Sequence, residues 1–194
     1  MTDGAEYLSS TNIANCVFNA FICHTAIMLN SITIYAIRKT SSLPNHLKLL
    51  LLSLAVSDLG VGLIVQLITL LVIRLHTNGE YSPSFKNTYD VLVNLTTLPS
   101  FGSFFGVTAV TVDRFLAIHL HLRYQELVTH KRVVAVVISI WLLSANISLI
   151  GLFLPLKGGH IVFATINIVC LATTAVLYYK IYLAVRHHTN LIHA

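Results

Sequence analysis

Residues 49–73 read LLLLSLAVSDLGVGLIVQLITLLVI, an apolar run broken by a single charge, Asp58. A helix needs roughly 20 residues to cross a hydrocarbon layer about 30 Å thick, and this run is long enough. Four further runs lack Asp, Glu, Lys and Arg altogether: Tyr7–Ile37, Val91–Val112, Val133–Leu156 and Gly158–Tyr179. In lipid the backbone must satisfy its own N–H and C=O groups, so helices are the form such runs can take. The composition agrees, with 56% of the 194 residues apolar and only 10% charged, against about 25% charge in soluble domains. Mean hydropathy is +0.79. A soluble domain is excluded. The expected class is all-α, a polytopic membrane helical bundle over 13–186, with spans near 13–37, 47–73, 89–119, 133–154 and 161–185. Residues 1–12 then form an extracellular N-terminus.

Charge sets the expected orientation. Arg38, Lys39, Lys48, Arg114, Arg123, Lys131, Arg132, Lys180 and Arg186 fall on one side of the layer, and only Arg74, Lys86 and Lys157 on the other. The positive-inside rule then predicts a multi-pass plasma-membrane protein with its N-terminus outside and its C-terminus in the cytoplasm. The net charge of +5 is accounted for by topology, so the partner it implies is membrane lipid and not nucleic acid. Cys16, Cys23 and Cys170 all lie inside apolar runs, where thiols pack as small hydrophobes, and no disulfide framework is expected. The first run starts after Asp3 and Glu6 and is followed by Arg38 and Lys39, which marks an uncleaved span and not a signal peptide. Between the fourth and fifth spans, Pro155 is expected to end a helix and Gly158-Gly159 to supply the turn.

The polar residues inside these spans carry the functional reading. Asp58 sits near mid-depth, where a carboxylate costs roughly 2.5–3.5 kcal/mol on insertion scales unless paired, hydrated or protonated. It should face inward. Asn30 and Ser103 offer oxygens at a comparable depth, a set that suits a small hard cation such as sodium, with Asp58 as the metal ligand. Each partner alone is equally an interhelical hydrogen-bonding group. Asp113-Arg114-Phe115 closes the third span with an acid and a base that can lock one another, or with an arginine that simply snorkels. Trp141 lies too deep for an interfacial belt and is expected to pack structurally between helices. Tyr178 and Tyr182 stand one turn apart near the basic side, where anchoring is the default role.

Taken together, Asn30, Leu54-Ala55-Val56-Ser57-Asp58, Ser103, Asp113-Arg114-Phe115-Leu116-Ala117-Ile118, Trp141 and Tyr178 resemble the rhodopsin-like G-protein-coupled receptors in order and spacing. The resemblance runs from about Asn30 to Arg186 and covers that family's first five helices, a seven-helix architecture truncated after the fifth. Residues 187–194 resemble the start of the third inner loop. The resemblance implies an internal sodium and water site at Asp58, Asn30 and Ser103, and an ionic lock at Asp113 and Arg114, with Phe115 beside it. It further implies that Arg114 receives the G protein's C-terminal helix and that Tyr178 stabilises the active state. The loop His119–Thr129, with Leu122, Arg123 and Tyr124, would be a second contact for a heterotrimeric G protein.

Departures from the family pattern narrow the comparison. No cysteine stands near Tyr89 at the outer end of the third helix, and Cys170 occupies the place of the fifth helix's proline. Both features are similar to the melanocortin, lysophospholipid, cannabinoid and adenosine receptor cluster, most nearly its melanocortin branch. The extracellular ligand stays open, because Thr96 stands where an amine-binding aspartate would be. Gln66, Asp90, Thr96, Thr97 and Ser100 are the pocket candidates, each also readable as ordinary packing. Two other classes stay open: a truncated receptor that dimerises with a full-length relative, and a small ion-coupled transporter using Asp58. A second mid-membrane charge, which a transporter usually needs, is missing. No enzyme is expected, since no catalytic pair converges at one depth and the ten His lack metal-ligand spacing.

Overall fold

The computed structural model describes residues 2–78, 83–120, 123–153 and 156–192, with side chains described over 14–73, 87–120, 123–151, 161 and 163–186. Five long helices and one short one follow in order: α1 (Thr2–Lys39), α2 (Asn45–Asn78), α3 (Pro83–Leu120), α4 (Tyr124–Leu127), α5 (His130–Phe153) and α6 (Leu156–Ile192). Among the described residues there is no strand. The stretches long and apolar enough to span a membrane are Ala14–Lys39, Asn45–Ile73, Asn87–Leu120, His130–Gly151 and Phe163–Arg186.

Local chemistry explains the boundaries. Thr40 N–H closes the last turn of α1 on Ala36 O at 3.0 Å, and Pro44 supplies the carbonyl that Lys48 N–H meets at 3.0 Å to open α2. Val133 N–H does the same on Thr129 O at 3.1 Å at the start of α5.

Two elements, α1 and α6, run longer than the sequence predicts. α1 is helical from Thr2, where an N-terminal tail is expected. α6 begins at Leu156, so Gly158-Gly159 lie in its first turn and do not make the reversal. Pro155 lies outside the described residues. First-turn N–H groups have no intrahelical partner to lose, so glycine costs little there, at most the ~1 kcal/mol it costs inside a helix. α6 also continues through 187–192 in place of a loop.

Packing is organised on α3, which contacts α2, α4, α5 and α6, whereas α1 packs on α2, and α2 also meets α5. Small residues let these helices close up, as membrane interfaces require. A Cβ on Gly102 would come within 3.3 Å of Ser57 Cβ, and one on Gly62 within 3.1 Å of Ile27 Cγ1. The fully buried Ser57, Thr111 and Ser144 return their hydroxyls to carbonyls of their own helices, Ser53, Val107 and Ile140. Their polarity is thereby satisfied without an interhelical bond.

α6 behaves differently. Its half-buried positions are Phe163, Ile166, Asn167, Cys170, Thr174, Leu177, Ile181 and Ala184, one stripe at helical spacing, and the rest of its described side chains are exposed. That stripe rests on α3, with Thr108 Oγ1 and Thr174 Oγ1 at 3.2 Å. At its first turns Phe163 reaches Gly151 of α5.

Candidate functional site

Two polar clusters stand along α3, one at mid-depth and one at its basic end. At mid-depth Ser103 Oγ of α3 donates a hydrogen bond to Asp58 Oδ1 of α2. Asp58 faces the bundle because Val56 and Leu63, on other sides of α2, take the exposed positions. An open cavity of about 440 Å³ adjoins the pair, lined also by Asn30, Ser100, Cys23 and Val65. Asn30 therefore shares the cavity but spends its Nδ2 on Ala26 O at 2.9 Å within α1. Ser100, a ligand-pocket candidate from the sequence, lines this same cavity and donates to Thr96 O at 2.7 Å.

Chemically this is an oxygen-rich recess: one carboxylate, the hydroxyls of Ser100 and Ser103 and the amides of Asn19 and Asn30 against apolar walls. Oxygen donors of this kind suit hard cations. Among the described residues no group of three His, Cys, Asp or Glu converges as a transition-metal site would require.

Between the two clusters, Trp141 Nε1 donates to Ser53 Oγ at 3.0 Å, tying α5 to α2. Ser53 escaped notice in the sequence because a serine among leucines carries no signal until its partner is known.

At the basic end, Asp113 is 5% exposed and Arg114 43%. Arg114 grips Asp113 Oδ2 through Nη2 at 2.5 Å and Nε at 3.1 Å. The other carboxylate oxygen, Oδ1, accepts from Tyr124 O–H at 2.7 Å. Tyr124 opens the short α4 and its oxygen also lies 2.9 Å from His46 Nε2 of α2. With the phenol hydrogen committed to Asp113, that second bond needs His46 to carry its hydrogen on Nε2. The two rings meet edge-on at 5.8 Å and 64°.

Burial pushes the Tyr124 phenol up to about 12, helped by the hydrogen bond and charge of Asp113 and opposed by Arg114. Tyr124 therefore stays a donor throughout the neutral range. The result is a chain of four groups, His46, Tyr124, Asp113 and Arg114, that links α2, α4 and α3. His46 was missed in the sequence: it lies 78 positions from Tyr124.

The other expected residues scatter. Phe115 stacks on His119 one turn along, centroids 4.1 Å apart. Arg123 is exposed and caps α4 without a side-chain hydrogen bond, and Leu122 lies outside the described residues. Tyr178 is 57% exposed on α6, turned away from the stripe that meets α3. Cys170 sits half-buried within that stripe. Among the pocket candidates, Asp90 is exposed and Thr97 half-buried. Thr96 donates to Val93 O at 2.5 Å, and the buried Gln66 Oε1 has no partner among the described residues.

Comparison with known proteins matches residues 29–159 to the 7 transmembrane receptor (rhodopsin family) model. Chicken (Gallus gallus) adenosine receptor A2b is 35% identical over 144 residues, 74% of this chain and 39% of that receptor. Rat (Rattus norvegicus) melanocortin receptor 3 is 23% identical over 121 residues, 60% of this chain and 36% of that receptor. Identity is thus higher to the adenosine receptor than to the melanocortin receptor, whereas the missing cysteine and proline alone suggest the melanocortin branch. The chain spans well under half the length of these relatives.

Proposed function

Because the chain belongs to the rhodopsin family of seven-transmembrane receptors, we propose that it is the five-helix portion of a receptor that converts an extracellular ligand signal into nucleotide exchange on a heterotrimeric G protein. The observation that carries this reading is the doubly held Asp113. Arg114 occupies one carboxylate oxygen and Tyr124 the other, so the guanidinium is restrained at the basic end until the pair opens. A freed guanidinium offers a fork of donors to carbonyls or carboxylates of an incoming helix. In this reading the basic end faces the cytoplasm and the N-terminus the outside of the plasma membrane, as the charge asymmetry supports.

The test supplies the chain with the sixth- and seventh-helix segment of the chicken adenosine receptor and measures guanine-nucleotide exchange in membranes, with adenosine as the first ligand tried. Asp113→Asn, which weakens the grip on Arg114, is expected to raise basal exchange several-fold, and Arg114→Ala to return it to background. Exchange at background in the Asp113→Asn protein would count against the reading.

The recess around Asp58 would hold a sodium ion through the carboxylate and the neighbouring hydroxyls. Binding to the folded state alone stabilises by RT ln(1 + [L]/Kd). Replacing N-methylglucamine by sodium should therefore raise the unfolding temperature of the wild-type chain and leave Asp58→Asn unmoved. An equal response in both proteins would remove the ion from the account.

A further inference from the structure

Between α3, α5 and the short α4 the bundle leaves a second open cavity, of about 610 Å³, inside the roughly 300–1,000 Å³ range of small-ligand sites. Its walls are apolar, with Val112 and Leu116 from α3 and Val136, Ile140 and Leu143 from α5. Val112, Val136 and Leu143 are exposed at its mouth, and all three lie in membrane-length spans. The opening therefore lies along stretches long and apolar enough to span a membrane.

Toward the basic end the lining changes character, to Asp113 and Arg132. Asp113 is already held by Arg114 and Tyr124. Arg132 is exposed and gives one N–H, on Nη1, to Leu127 O at 2.9 Å. It forms no salt bridge among the described residues, although Glu126 is close by in sequence. A guanidinium carries five donors, so most of its capacity is uncommitted to any carboxylate. An apolar slot within the lipid layer that ends at such a group matches an acyl chain tipped by a phosphate.

We propose that this cavity is a binding site for an anionic phospholipid, with one acyl chain lodged between α3 and α5 and the phosphate on Arg132. The site is independent of the receptor reading, since it uses neither the recess at Asp58 nor the freeing of Arg114.

Native mass spectrometry of the full chain in neutral detergent tests it, by titration with phosphatidylglycerol or phosphatidylcholine bearing the same acyl chains. Phosphatidylglycerol should bind about fivefold more tightly, the factor equivalent to about 1 kcal/mol for one basic residue at a membrane surface. Arg132→Gln should erase that preference and Arg132→Lys keep most of it. Lys131→Gln, adjacent in sequence but outside the cavity, should leave it intact. Ala135→Phe, which fills the cavity from α5, should lower first-lipid occupancy for both headgroups. Equal affinity for the two lipids overturns the proposal. So does an equal loss in Arg132→Gln and Lys131→Gln, which would leave only diffuse attraction to a basic surface.

Discussion

Removing the Tyr124 hydroxyl disconnects three groups at once, because that oxygen donates to Asp113 and accepts from His46. Leaving a buried acceptor short costs about 1–3 kcal/mol, so Tyr124→Phe should unfold at a lower temperature in micelles by that equivalent. His46→Ala should cost less, since Tyr124 keeps its bond to Asp113. The raised phenol also fixes a pH dependence. Below pH 10 the hydroxyl is protonated in both folded and unfolded chains and the bond is intact. Its contribution is then lost as pH climbs from 10 through about 12. Ultraviolet titration should show one tyrosine ionising near 12 in the wild type and missing from Tyr124→Phe. Depth along a helix is readable in a sequence, which is why Asp58 and Ser103 could be paired beforehand. Asn30 shows the limit: it lines the same cavity, but its amide meets the Ala26 carbonyl one turn away, and depth says nothing about that competition. The contact of His46 with Tyr124 depends on how the α3–α5 connection folds, which no period or spacing encodes.

Among the helices, the closest approaches are the most sensitive points. A Cβ added at Gly102 would meet the Cβ of Ser57 at 3.3 Å, an atom that cannot move without its backbone. Gly102→Val should therefore destabilise the α2–α3 pair by about 1–3 kcal/mol, the usual cost of overpacking, seen as a lower unfolding temperature. Gly62→Ala meets a flexible isoleucine methylene, Ile27 Cγ1, at 3.1 Å, and should cost less. A smaller effect at Gly102 than at Gly62 would contradict this ranking. The five helices were visible in the sequence because uncharged runs of spanning length have one solution in lipid. Their ends were less so. Gly158-Gly159 reads as a turn by composition, yet a glycine pair in a first helical turn has no intrahelical N–H bond to weaken, and the helix runs through it.

For the molecule as a whole, the uneven seating of the helices governs where it opens first. α6 buries a single stripe against α3, whereas α2 has neighbours on α1, α3 and α5. Local opening follows contact density, so backbone amides of α6 should exchange at least about tenfold faster than those of α2 in micelles, measured by hydrogen-exchange mass spectrometry. Equal protection would mean that this stripe holds as firmly as a helix enclosed on several sides. The packing order has one more outcome: α2 rests on α1, α3 on α2, α5 on α2 and α3, and α6 on α3. Each of these later helices thus meets a seat built from chain already synthesised, and assembly can keep pace with the ribosome, each segment leaving the translocon without waiting for a later one.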